Sequence, residues 1–195
     1  VTKDCFAFKQ LLKELKMYTL KNKINESQKS FSILLSWSGK NGKEIDLDLS
    51  LGFVNGLNER AMQKVYFGHE GSIGVNYHGD SKGDVQNDCG LSTERISFSP
   101  SKLPINVKSS FVVITNNDIK ELFSELEKCD LCIKDDGSDD VLFALNLLEV
   151  DGFTESSAFS PLKINFGEND WTVKESKISL ENTYLDDVHN QYFNV

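Results

Sequence analysis

Apolar residues recur along this chain in two rhythms. Behind Asp4, which can cap a helix, Phe8, Leu11, Leu12 and Leu15 return every three to four residues with lysines between them. That spacing predicts an amphipathic helix reaching about Met17. Residues 21–30 are polar and read as a loop or a frayed strand. From Phe31 the rhythm shortens. Phe31–Trp37 is β-rich and stops at Gly39-Lys40-Asn41-Gly42, whose Asn-Gly pair predicts a hairpin turn. Ile45-Asp46-Leu47-Asp48-Leu49-Ser50-Leu51 then alternates strictly, as a strand with one buried face does. Further strands are predicted at 64–67, 95–98, 111–115, 131–134, 141–147, 162–166 and 171–179. Ile119, Leu122, Phe123 and Leu126 interrupt the series with a helical pattern over 117–128.

Many short strands separated by turn signals predict an all-β chain, an antiparallel β-sandwich with one short helix insert and an N-terminal amphipathic helix. No repeat, low-complexity tract or Pro-rich linker divides it. The economical organisation is a helical arm over residues 1–18 and one sandwich domain over 19–195.

Composition narrows the function. The 195 residues carry 21 Lys and Arg against 30 Asp and Glu, for a net charge of -9. Such an excess of acid opposes nucleic-acid binding, which needs a basic footprint. It also opposes direct docking on anionic lipid, leaving a membrane accessible only through a bridging cation. No apolar run approaches the roughly 20 residues of a membrane-spanning helix, and Val1-Thr2-Lys3-Asp4 lacks a signal peptide's apolar stretch. Four cysteines in a chain long enough to build its own core read as reduced thiols, which points to the cytoplasm. Cys129-Asp-Leu-Cys132 has zinc-like or redox spacing but lacks the second pair a structural zinc site wants, so it reads as part of a strand. His78, the best placed of three histidines, is expected to make a loop hydrogen bond. Asp135–Asp140, the densest acid patch, reads as a hairpin tip.

Two other acidic stretches carry the candidate chemistry. Asp46, Asp48 and Ser50 place oxygen side chains about 7 Å apart on one strand face. Gly79-Asp80-Ser81-Lys82-Gly83-Asp84-Val85-Gln86-Asn87-Asp88, followed by Glu94, offers short oxygen side chains on a glycine-bent backbone. Hard cations take six to eight such oxygens. An EF-hand is excluded by counting. From Asp46 the sixth and twelfth positions are Leu51 and Leu57, and from Asp80 they are Val85 and Leu91, where Gly and Glu are required. Asp, Asn, Ser and Gly also crowd ordinary solvated turns, so both readings stand on the residues alone.

The ordered set Leu35-Ser36-Trp37, Ile45–Ser50, Val65-Tyr66-Phe67, His78-Gly79-Asp80, Gly83-Asp84, Asp88, Ile96–Ser99 with Leu103-Pro104, and Phe111–Ile114 resembles the tellurite-resistance TerD domain. The likeness continues through Val141–Leu147 and Trp171-Thr172-Val173 and covers about residues 19–180. It implies a cytoplasmic β-sandwich of the stress-response type that binds one or two Ca²⁺ ions through acidic loops, without catalysis, and engages a protein partner. It also implies a ligand set. Asp46 and Asp48 match the family's paired acids, Asp80 and Gly83 the following acid and glycine, and Asp88 one acid of the closing run. Ser81, Asp84, Asn87 and Glu94 complete the candidate metal ligands. Ser81 stands where the family usually shows Asn, and Cys89 where a second acid closes the motif. Ca²⁺-dependent lipid binding and a metal-free assembly module are the alternatives. An enzyme is not expected, because the acids lack an accompanying nucleophile, and Arg60 and Arg95 are the only arginines.

Overall fold

A computed structural model of the chain describes residues 21–23, 29–79, 81–82, 90–117, 122–168 and 170–180. The expected N-terminal helix lies outside them. With strands numbered in chain order, one six-stranded sheet runs β1 (Lys21–Lys23), β12 (Asp170–Ser179), β11 (Ala158–Phe166), β8 (Ser109–Asn116), β3 (Leu47–Val54), β4 (Arg60–Val65). The other runs β10 (Val141–Asn146), β9 (Leu126–Asp135), β2 (Phe31–Gly39), β7 (Ser92–Phe98), β6 (Val75–Tyr77), β5 (Gly71–Ser72). Every pairing is antiparallel. The protein is an all-β sandwich.

Period-two alternation places the core. Phe31, Ile33, Leu35 and Trp37 of β2 point inward against Leu47, Leu49, Leu51 and Phe53 of β3, and all eight are buried. Aromatic rings close both ends of the interior. At one end Trp171 meets Phe31 and Phe98 edge-on at 4.8 and 5.5 Å. At the other, Phe123 stacks on Phe153 at 4.4 Å, and Phe153 meets Phe159 edge-on at 5.4 Å. Such pairs contribute about 0.5–1.5 kcal/mol beyond their buried area.

Three local expectations are corrected. Asn41 and Gly42 do adopt the left-handed turn that Asn-Gly favours, at φ 55° and 74°, but the strands they join are not a hairpin. β2 pairs with β7 and β9, whereas β3 pairs with β8 and β4. The extended Lys43–Asp46 segment lets the chain change sheets there, and the Trp37 indole donates to the Ile45 carbonyl at 2.7 Å across the step. The helical pattern over 117–128 also fails from Leu122 onward, residues 118–121 lying outside the described residues. Phe123–Glu125 form a single 3₁₀ turn, and Leu126 already pairs with Gly39 at the start of β9. Strand pairing along the whole of β2 outweighs a short run of helical spacing. Among the described residues there is no α-helix.

The third correction concerns β3, whose polar face is not solvated. Asp48 and Ser50 are buried along with every other residue of the strand. Ser50 lies opposite Val113, which forms a second, smaller apolar cluster with Ala158 and Leu180 on that face.

Candidate metal centre at the open edge of β3

β4 pairs with β3 only from Leu51 onward, so among the described residues the first half of β3 has no strand neighbour on that side. A backbone N–H left buried there would forfeit a hydrogen bond. Glu94 supplies it. Alternation along β7 sends Glu94 inward with Ile96 and Phe98, and its Oε2 accepts the Leu49 N–H at 2.6 Å, joining the two sheets through a side chain. The carboxyl is 1% exposed. Its other oxygen, Oε1, is buried without a close hydrogen-bond partner. Burial is the main force pushing Glu94 up from 4.5 to about 8; the Leu49 N–H, the Tyr77 hydroxyl and the Ser81 N–H oppose it, and the Asp48 charge adds to it. Without a cation, this carboxyl keeps its proton at neutral pH.

The two acidic stretches therefore do meet. Asp48 from the first acts on the Glu94 carboxyl of the second through its charge, and Ser81 through its N–H. Asp46 sits just before β3 and turns to a different neighbour. Its Oδ2 accepts from the Asn117 side chain at 2.9 Å, and Asn117 returns its own N–H to the Asp46 carbonyl at 2.9 Å. Asp80, Gly83, Asp84, Asn87 and Asp88 lie outside the described residues. Among the described residues no three His, Cys, Asp or Glu gather as a metal-holding group. Three residues escaped the reading of the sequence: Leu49 acts through its backbone, while Tyr77 and Asn117 carry no motif. Tyr77 does belong to an alternating Val75-Asn76-Tyr77 run, a signal that would have turned it inward.

The donor chemistry fits a hard cation. Glu94 Oε1, Ser81 Oγ and Asp46 Oδ1 are all buried oxygens lacking a partner, and each such orphan costs roughly 1–3 kcal/mol when nothing satisfies it. Oxygen ligands of this kind suit Ca²⁺; thiolate and imidazole stand elsewhere. Cys129 and Cys132, three residues apart on a strand, face opposite sides of the sheet. Cys129 lies in the core opposite Trp37, and Cys132 pairs with Leu34 on the other face. Burial pushes both thiols up, Cys132 to about 12. His78 Nε2 lies 2.7 Å from Ser97 Oγ, the expected local hydrogen bond. The acidic β9–β10 turn is tied up in its own contacts. Asp135 takes the Gly137 N–H, Asp136 takes Ser32 and Arg95, Asp139 takes Lys134, and Asp140 takes Ser138.

Solved structures share this architecture. A protein of unknown function, SAV2460, matches with a TM-score of 0.68 at 12% identity, over 86% of this chain and 98% of that one. A homologue of telluride resistance protein (TerD) from Streptomyces coelicolor A3(2) matches with a TM-score of 0.65 at 13% identity, over 84% and 97%. The sandwich is thus TerD-like in fold. No protein-family model matches the sequence, and no curated protein does.

Proposed function

We propose that the chain is a calcium-binding interaction module of TerD type, serving a stress response by ordering loops that a protein partner recognises. The observation that carries this reading is the buried Glu94 carboxyl, with one oxygen unpartnered, beside Ser81 and Asp48 where the two acidic stretches converge. Asp48 and Glu94 would hold the ion directly, with the Ser81 oxygen adjoining. Asp80, Gly83, Asp84, Asn87 and Asp88, which the resemblance adds to the ligand set, lie outside the described residues. A bound Ca²⁺ would supply the positive charge that lets Glu94 stand ionised beside Asp48.

The residues do the rest. Leu49 fixes the Glu94 carboxyl in place through Oε2, and the Tyr77 hydroxyl steadies it. Because proton and cation compete for one carboxylate, affinity should fall up to tenfold per pH unit below about 8. A cytoplasmic setting agrees with the free, buried thiols of Cys129 and Cys132 among the described residues.

Calorimetric titration of Ca²⁺ into chelator-stripped protein, paired with thermal melts, tests the proposal. Heat should be released or absorbed on binding, and the melting temperature should rise, by about 2.7 kcal/mol of stabilisation at a hundredfold excess over Kd. Both effects should vanish in Asp48→Asn/Glu94→Gln. No heat and no shift in the native chain would remove calcium from the account.

A further inference from the structure

The two sheets end in four outer strands, and three of these are guarded. β1 is three residues long, two of them lysines. β5 has two residues. β4 carries Arg60 and Lys64, and its pairing with β3 is twice irregular. Shortness, edge cations and bulges are the ordinary devices that stop another chain adding a strand. β10 is the fourth, six residues without a charge or a proline. Its one irregularity falls between Val141 and Phe143, and Phe143–Asn146 keep regular register with β9. Among the described residues no strand lies beyond it, so alternate residues turn their N–H and C=O groups outward. Apolar surface reaches the same edge. Leu142, Leu145 and Leu148 are half-buried and pack against the core on their inner side.

Charge says what an added strand would carry. Segment 126–151 holds eight acids and two bases, Lys128 and Lys134. Asp140 immediately precedes β10, Glu149 and Asp151 follow it, and all three are exposed. The cations nearby are engaged elsewhere. Lys134 holds Asp139 at 3.2 Å, Arg95 holds Asp136 at 3.1 Å and Lys29 holds Asp135 at 3.5 Å, while Lys128 acts on Asp130. At the far end of β9, Lys43 pairs with Glu125 at 3.5 Å and Lys40 donates to the Ser124 carbonyl. Among the described residues Asp140, Glu149 and Asp151 have no ion pair. Asp140 accepts from Ser138 at 2.7 Å and Glu149 from Asn146 at 2.9 Å, neither of which brings charge. A second copy of the chain fits poorly, because antiparallel pairing of two β10 strands would set Asp140 of one beside Glu149 of the other.

We propose that β10 is a docking edge for an extended segment of a partner protein, apolar at alternate positions and flanked by Lys or Arg, which adds as a further strand. Main-chain hydrogen bonds supply affinity, and the rim of Leu142, Leu145 and Leu148 receives the inward side chains. Asp140 at one end, with Glu149 and Asp151 at the other, selects basic flanks. β9 and β2 separate this edge from the strand that carries Glu94. Three strand intervals are about 14 Å, beyond the screening length of about 8 Å in physiological salt. Docking here is therefore independent of the ion proposed at Glu94.

A fluorescent peptide, Lys-Lys-Val-Thr-Val-Thr-Val-Lys-Lys, is titrated into the full-length chain in chelator, with Glu-Glu-Val-Thr-Val-Thr-Val-Glu-Glu as its control. The basic peptide should bind, the acidic one about tenfold or more weakly, and raised salt should narrow the gap. Hydrogen exchange should show amides within 141–146 slowing as the basic peptide binds. Asp140→Lys/Asp151→Lys should reverse the preference with an unchanged melt, since both side chains are exposed. Leu145→Lys places a cation on the edge and should weaken both peptides; if it unfolds the chain, the double charge substitution still decides. The proposal is overturned if the basic peptide fails to bind, binds equally well after the double substitution, or leaves the 141–146 amides unchanged. It is also overturned if every one of those amides is already protected in the free chain, because a second copy or another segment of the same chain would then hold the edge.

Discussion

Replacing Glu94 with Gln isolates the proton buried between the sheets. In the native chain without calcium, the unfolded carboxyl ionises near 4.5, while the folded one holds its proton to about 8. Between those values the folded state binds the extra proton, so stability is greatest below pH 4.5 and is lost as pH rises through 8. At about 1.4 kcal/mol per pH unit, the loss from pH 5 to pH 8 is roughly 4 kcal/mol, a large part of the 5–15 kcal/mol typical of a domain. The amide of Gln keeps an oxygen for the Leu49 N–H and cannot ionise. Urea denaturation at pH 5, 6, 7 and 8 in chelator, followed through the buried Trp37 and Trp171, gives the comparison. The variant should gain on the native chain by roughly 4 kcal/mol across that range. Asp130, pushed to about 6 chiefly by burial, titrates in both proteins and cancels in the difference. Parallel stability curves would mean that Glu94 is ionised in the folded state, and the account of the site would fall.

Phe153→Ala removes the ring between Phe123 and Phe159 and should cost about 3–5 kcal/mol in the same denaturation assay. Trp37→Phe strands the Ile45 carbonyl that the indole now satisfies, a loss of roughly 1–3 kcal/mol. Gly39→Ala would put its Cβ against the Lys43 carbonyl oxygen and should lower the melting temperature, because backbone there has to move. Alkylation of the native chain followed by peptide mass mapping should leave Cys129 and Cys132 unlabelled until denaturant is added, since both thiols are buried and held protonated.

The sandwich was legible because alternation is a property of neighbouring residues: Phe31, Ile33, Leu35 and Trp37 declare one face without knowing their partners. What the residues could not declare was which strands pair. Asn41-Gly42 makes its favoured turn, yet the chain changes sheets there because Trp37 and Ile45 both bury at the crossing. Leu126 carries helical spacing from Ile119 and is captured by the long β2 edge. The candidate site divides in the same way. Asp48, Ser81 and Glu94 were marked by residue type and do converge, whereas Asp46 is drawn aside by Asn117, an acceptor–donor match that pattern alone cannot reveal.

The Leu49–Glu94 bond has a consequence for association. Half of β3 is an edge, and an edge with a free N–H is a template on which another chain can add a strand and begin edge-to-edge aggregation. Glu94 occupies that N–H from within the same molecule. An incoming strand would have to expel a carboxyl that is already buried and hydrogen-bonded. The same side chain proposed to hold an ion also acts as a stopper, taking the Leu49 N–H that a neighbouring strand would need.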